Sequence, residues 1–483
     1  MLAPSAFAHT EFTNLFSFPL YELYGGQPSS RLVQDTTGNF YGTTSIDCGT
    51  VFKITPDGTM LWSRSVCGEF GSTPDADLLR VGDDFYGTCF GGGAYDRGTV
   101  FRMKSDGSLV WSRSFDGTNG SNPEAGLTLG KDHDLYGTTA YGGANGSGAI
   151  IKVGKSGTIG VLYSFSGGRD GAVPVAGLVQ GSDGSFYGTT KYGGLNGNGT
   201  VFKLTPVGSL TSLYSFGTVA TDYGRSLDGS YPVGELVEVS KGCFYGTTSR
   251  GGIYEGANTD IGTIFKINSD GVFTSLYSLS LTEGAFPCCR LVQGADGKLY
   301  GTTQLGGSAD TFSFGYGTSF RITTNGTFTS LFSFHGSDGA FPCASLTIGK
   351  DGSFYGTTAG GFYSPGTVFR FSIIRPILII TSPHHARPVT NKEMIVTGKA
   401  KGRSPVIGVM VKVNDGNWAD ATTSDGWTNW TASVTLEPGA NIIRAYASDT
   451  VGDLSHTNGV RVFFIDPHDE NRRRTQNHFS LSP

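Results

Sequence analysis

Apolar residues fall in short bursts along most of this chain, each closed by a turn that carries glycine. The stretch from residue 170, DGAVPVAGLVQGSDGSFYGTTKYGGLNGNGTVFKLTPVGSLTSLYSF, holds four such bursts: Ala176–Gln180, Phe186–Thr190, Gly199–Leu204 and Leu210–Phe216. All are short and rich in β-branched or aromatic residues, which predicts four strands, a to d. Ser182-Asp183-Gly184 marks a tight hairpin between a and b. Asp57-Gly58, Asp106-Gly107 and Asp270-Gly271 mark similar turns between c and d.

The unit repeats. YGTT, or a one-letter variant, starts at Tyr41, Tyr86, Tyr136, Tyr187, Tyr245, Tyr300 and Tyr355, with spacings of 45, 50, 51, 58, 55 and 55 residues. Strand c recurs as GTVFK at Gly49–Lys53 and in variants down to Gly366–Arg370, and a proline (Pro28, Pro74, Pro123, Pro174, Pro232, Pro287, Pro342) opens each strand a. Proline suits the first residue of a strand, where no ladder donor is needed. The glycine within YGTT predicts close approach of a neighbouring blade. A period near fifty with strand content predicts a β-propeller with one blade per repeat. No d-like segment follows Gly366–Ser372, whereas Phe12–Phe18 reads as one. The expectation is an all-β, seven-bladed β-propeller of four-stranded blades over residues 11–373, its last blade closed by the N-terminal strand.

The composite PxAGLVQGxDGxFYGTTxxGGxxxxGTVFKxTxxGxLTxLYSF resembles the GloVer tandem-repeat family of bacterial proteins over residues 11–372. The resemblance implies an extracellular propeller, often followed by a varied C-terminal anchor, and it supplies no catalytic or binding residue. This chain lacks an obvious C-terminal sorting segment.

The repeat stops near Pro376. Beyond a linker at 374–376, residues 377–466 alternate polar and apolar, as in Trp430-Thr431-Ala432-Ser433-Val434. Strands are expected at Leu378–Thr381, Met394–Gly398, Val406–Val413, Thr428–Leu436, Asn441–Ser448 and Val460–Phe464. This looks like a bacterial Ig-like β-sandwich without the Cys–Trp–Cys signature. Residues 467–483 read as a disordered polar tail.

The chain has 483 residues, a net charge of −5 and dispersed charges, so no basic patch points to nucleic acid. No apolar run is long enough for a membrane span. Residues 1–10 end near Ala6-Phe7-Ala8, the small-x-small pattern of a signal-peptide remnant, which points to an extracellular, cell-surface or periplasmic protein. Seven cysteines leave at least one thiol unpaired if disulfides form.

Chain direction puts the long b–c and d–a loops on one end, the top face, where a rigid scaffold commonly carries function. Two features recur there. A polar residue precedes Gly-x-x-Pro: Asn119, Asp170, Asp228, Glu283 and Asp338. Such oxygens are either ligands for calcium or a polyol, or side chains of repeated Asx-type turns. The b–c loops also carry aromatics, Phe90, Tyr141, Tyr192, Tyr254, Phe314, Tyr316, Phe362 and Tyr363. These could stack on a glycan or anchor a protein partner, or pack the loops on one another. No HExxH, GxSxG, zinc spacing or phosphate loop is present, and no carboxylate pair is marked out for catalysis. The leading expectation is a non-enzymatic binding or scaffold protein without a cofactor. The alternatives are a carbohydrate-active hydrolase or lyase using top-face carboxylates, and a purely structural surface protein.

Overall fold

The computed structural model describes residues 10–466 other than 20–24, 69, 221–224, 254–259, 309–313, 361–364, 403 and 451. The expected signal remnant, apart from Thr10, and the C-terminal tail lie outside the described residues. No helix occurs among those described. The chain divides into two compact units, one spanning Phe12–Ser372 and the other comprising Met1–Glu11 and Ile373–Pro483.

The larger unit contains, among the described residues, seven four-stranded antiparallel sheets of propeller-blade type. The fourth consists of Val179–Gln180, Phe186–Thr190, Thr200–Leu204 and Leu210–Ser215. The seventh takes its outer strand from the start of the chain, where Thr10–Ser17 lies beside Thr367–Ile373. The innermost strands are shorter than the sequence suggested. Val179–Gln180 begins well after Pro174; in other sheets, inner-edge amides of this stretch bond to a neighbouring sheet instead of a ladder. Arg31 N–H donates to Asp77 (2.7 Å) and Arg290 N–H to Ser345 Oγ (3.0 Å).

Each letter of YGTT has a separate task. The tyrosine ring stacks on the next sheet, as in Tyr41–Phe85 (4.1 Å), Tyr187–Phe244 (4.1 Å) and, between the seventh sheet and the first, Tyr355–Phe40 (4.2 Å). The first threonine donates to an inner-edge carbonyl of the next sheet: Thr138 to Ala176 (2.9 Å), and Thr357 to Ser30 (3.3 Å). The second bonds its own strand c, as Thr190 does with Thr200 (2.9 Å). The glycine does not meet a neighbouring blade. A Cβ on Gly188 would lie 2.6 Å from Phe202 and 2.9 Å from Leu178, both of its own sheet. The strand c phenylalanine sits directly opposite it and fills the space a side chain would take.

Close approach between sheets falls instead on the glycine that opens strand c. A Cβ on Gly199 would meet Pro232 of the next sheet at 2.7 Å, and one on Gly366 would meet Pro28 at 2.4 Å. The residue before each of these prolines has positive φ, between 51° and 59°, although proline disfavours compact conformations at the preceding position. Its N–H donates to the preceding sheet, as in Tyr231 to Asn198 (2.9 Å) and Phe286 to Ile261 (2.7 Å), and Gln27 donates likewise to Pro365. One contact set therefore runs from sheet to sheet, and the seventh sheet meets the first through the same set.

At the opposite end, the aspartate of the a–b turn latches strands b and c. Asp183 accepts from Tyr187 (3.0 Å) and pairs with Lys203 (2.9 Å); Asp132 does the same with Tyr136 (2.6 Å) and Lys152 (2.8 Å). For Asp183, burial raises the carboxyl pKa, but bonds from Lys203, the Ser185 amide and Tyr187 outweigh it and hold the value at about 2. Asp132 is held at about 2 chiefly by Lys152 and Tyr136. A carboxyl depressed in the fold stabilises above its unfolded pKa, near 3.8, and that stability is lost as pH falls toward the folded value. We expect the melting temperature to drop between about pH 4 and pH 2. The drop should be smaller in Asp183→Asn, and moderate because these groups are partly exposed. Equal slopes in the two proteins would remove this role from Asp183.

In the second unit, Ile377–Ser382, Glu393–Lys401 and Asn429–Thr435 form a three-stranded sheet. Arg387–Val389, Asn458–Phe464, Gly439–Asp449, Val406–Val413 and Ala419–Asp420 form a five-stranded one. Both contribute to one core around Trp430, Val396, Val409, Ile443 and Val462. Gly398 is required against Trp430, since a Cβ there would meet the indole at 2.2 Å. The sequence missed Arg387–Val389, which pairs parallel to Asn458–Phe464, and Ala419–Asp420; both are short edge strands with no alternation to read.

Candidate functional site

The proposed acidic residues are engaged within their own loops. Asp170 accepts from the Ser166 amide (2.7 Å) and from Tyr163 Oη (3.0 Å), with a further short bond from Ser166 Oγ. Asp228 is buried and accepts from Tyr214 Oη (2.6 Å), Gly217 N–H (3.0 Å), Thr218 N–H (3.1 Å) and Ser226 Oγ (2.7 Å). Glu283 takes Tyr277 Oη (2.6 Å), Asn119 takes the Asp116 amide (2.9 Å), and Asp338 faces His335 Nδ1 (3.3 Å). Each ties a d–a loop to itself, usually through the strand d tyrosine. Among the described residues no group of three or more His, Cys, Asp or Glu side chains is arranged to hold a metal ion.

The aromatic candidates separate. Tyr141 and Tyr192 occupy the same position of successive repeats and are exposed, as is Phe314. Phe90 is half-buried and Tyr316 is buried, its carbonyl accepting from Phe341 N–H (2.9 Å). Tyr254, Phe362 and Tyr363 lie outside the described residues.

Tyr192 and Phe314 are brought together with residues the sequence did not single out. Two adjoining cavities of about 480 and 580 Å³ open over the loops of the fourth to sixth sheets, and both are lined by Tyr231, Arg250, Asp260 and Phe286. Tyr192, Lys191 and Gln304 complete one, and Phe314, Asn198 and Arg225 the other. Tyr231 and Phe286 are the strained residues before proline, so the backbone turn that locks neighbouring sheets also aims their rings. Tyr192 packs edge-on to Tyr231 (5.3 Å). Arg250 lies over Phe286 (5.4 Å) and pairs with Asp260 (3.2 Å). Lys191 lies over Tyr192 (5.3 Å). The site thus combines ring faces with fixed charges and amides, a composition suited to a ligand with apolar faces and polar edges. A signal was present in the sequence: aligning the repeats on their prolines puts Tyr231, Phe286 and Phe341 at one position of consecutive blades, and Arg250 at the position of Tyr192.

The second cavity also reaches the inner edges of the sheets through Val233 and Cys288, each directly after its proline. At that level the second and third sheets present Asp75 and Glu124. Burial raises the carboxyl pKa of Asp75, with Ser29 (3.1 Å) opposing it. Burial likewise raises that of Glu124, where Lys191 opposes the shift and Asp75 adds to it. One level further in, Arg31 pairs with Asp77 (3.2 Å) and Arg290 with Glu235 (2.7 Å).

The model of the Gloeobacter/Verrucomicrobia repeat matches residues 45–255 and 218–381. The chain belongs to this family. No curated protein matches it significantly. Among solved structures it is similar to the extracellular domain of a hybrid two-component system from B. thetaiotaomicron, with 13% identity and a TM-score of 0.46 over 94% of this chain. The match spans 57% of that protein's length. It is also similar to a fungal alcohol oxidase in complex with copper, at 12% identity and a TM-score of 0.46 over 94% of this chain and 99% of that one. Fibronectin(III)-like modules from Clostridium thermocellum match 19% of this chain, with 18% identity, 98% of their own length covered and a TM-score of 0.16. Among the described residues no helix is long and apolar enough to cross a membrane.

Proposed function

We propose that this Gloeobacter/Verrucomicrobia-repeat protein is an exported, non-enzymatic binding protein whose top face captures a glycan. In this reading residues 11–373 form a seven-bladed propeller closed by the N-terminal strand. Residues 377–466 form an independent Ig-like sandwich that serves as spacer or second adhesive module. The observation that carries the reading is the double cavity over the fourth to sixth sheets, where Tyr192, Tyr231, Phe286 and Phe314 sit beside Arg250, Asp260 and Gln304. Sugars offer apolar faces to such rings and hydroxyls to such polar groups. Export is supported by the Cys48–Cys67 disulfide, a bond that persists in oxidising compartments. No metal is part of the proposal, since Asp170 and Asp228 already spend their oxygens on loop bonds.

A glycan array probed with the full chain, with and without a calcium chelator, tests this. We expect calcium-independent binding to a defined sugar class, weakened about tenfold in Tyr192→Ala, which corresponds to about 1.4 kcal/mol. Absence of binding, or binding indifferent to both Tyr192→Ala and Phe314→Ala, would reject the site. A carbohydrate-active enzyme is the second reading, supported by the burial-raised carboxyls of Asp75 and Glu124 on adjacent sheets. Hydrolysis or elimination of an array-positive glycan, lost in Glu124→Gln with binding retained, would favour it.

A further inference from the structure

Cys288 and Cys343 each follow the proline of their repeat, on the inner edges of the sixth and seventh sheets. Residues at this level of neighbouring sheets are within side-chain reach, as Ser29 and Asp75 show on the first and second (3.1 Å). The Cys288 Sγ donates to the Cys343 carbonyl oxygen (3.7 Å), and each thiol shifts the other's acidity. Cys289 points elsewhere, buried against Thr302 (3.2 Å). Cys288 lines the second cavity, and both Cys288 and Cys343 are partly exposed, so a small reagent can reach the pair.

We propose that Cys288 and Cys343 are an oxidisable pair that closes to a disulfide between the sixth and seventh sheets on meeting a disulfide oxidant. The inference is independent of the glycan reading. Bonds from Cys288 and Gln304 lower the pKa of the Cys343 thiol, which makes Cys343 the attacking thiolate. It displaces one thiol from the oxidant's disulfide and forms a mixed disulfide. Cys288 loses its proton and attacks the Cys343 sulfur, which releases the second thiol. The two protein thiols are oxidised by two electrons, and the oxidant is reduced to two thiols. The bond would fasten two sheets at the wall of the cavity, whereas Cys48–Cys67 lies within the first sheet's own loops.

The test uses the full chain, incubated with oxidised glutathione without prior reduction, then acid-quenched, denatured, alkylated and mapped by mass spectrometry. Five cysteines lie outside the Cys48–Cys67 bond. We expect two of these five to become unreactive and a Cys288–Cys343 cross-linked peptide to appear. The cross-link should persist in Cys289→Ala and vanish in Cys343→Ser, with Cys288 then alkylated or carrying glutathione. Full alkylation of Cys288 and Cys343 while Cys48–Cys67 stays oxidised overturns the proposal, as does a Cys289–Cys343 cross-link in the unsubstituted protein.

Discussion

Removal of residues 1–18 will abolish cooperative unfolding of the Phe12–Ser372 unit and turn the protein into an associating species. Three contributions are lost together. Phe12 stacks on Phe332 at 4.1 Å and lies 5.5 Å from Phe369. Phe18 is buried in the core shared by the first and seventh sheets, with Phe40, Phe52 and Tyr355, and its N–H donates to Gly366 (3.0 Å). The strand also covers Thr367–Ile373, which would otherwise present an unpaired edge to another chain. Truncating one such phenylalanine costs about 3–5 kcal/mol, while a whole domain commonly has only about 5–15 kcal/mol to lose. Phe18→Ala should therefore leave a folded but clearly destabilised protein, whereas the deletion should not fold to a monomer. Calorimetry and light scattering report both, and a synthetic peptide of residues 10–19 should restore the transition. An unchanged melting transition in a monomeric deletion protein would show that the seventh sheet does not need this strand.

The repeat length, the four-strand unit and the borrowed N-terminal strand could be read because they follow from local pattern and counting. Alternation and turn residues such as Ser182-Asp183-Gly184 are set by contacts within one hairpin, so they appear in the order of the chain. The double cavity over the fourth to sixth sheets depends on more than local pattern. Tyr192, Tyr231, Phe286 and Arg250 come from three successive repeats, and their juxtaposition depends on how neighbouring sheets face each other. That relation is fixed by the residue before each proline and by the glycine of strand c. Nothing in residue type marks Gln27, Thr73, Val173 and Tyr231 as one class; what they share is the place before the repeat proline and a positive φ. The second was noticed, but the close approach was assigned to the wrong glycine. The strand c phenylalanine opposite Gly188 fills the space above that glycine. The acidic residues Asp170 and Asp228 were read with both outcomes open, since turn and ligand chemistry use the same oxygens; the bonds to Tyr163 and Tyr214 tie them to strand d.

Gly199→Ala and Gly197→Ala should separate the two reasons a glycine is needed in these loops, and the first should have the larger effect. Both residues have positive φ, +97° and +78°, so either substitution incurs backbone strain of about 1–2 kcal/mol. A Cβ on Gly197 would meet nothing within 4 Å. One on Gly199 would lie 2.3 Å from the Thr190 carbonyl oxygen and 2.7 Å from Pro232 of the next sheet. Neither neighbour can yield easily, since one is backbone and the other a rigid ring held by the turn at Tyr231. Forcing atoms into packed space adds about 1–3 kcal/mol, so Gly199→Ala should cost roughly twice as much as Gly197→Ala. It should also loosen the Tyr231 N–H bond to Asn198 (2.9 Å) and with it the wall of the cavity. Urea unfolding followed by pulse proteolysis, with cleavage mapped inside residues 12–372, measures the two costs. Hydrogen exchange at the Tyr231 amide shows whether the damage is at the sheet-to-sheet contact. Equal costs, with the Tyr231 amide protected alike in both variants, would mean that proline and glycine do not set the spacing of the sheets.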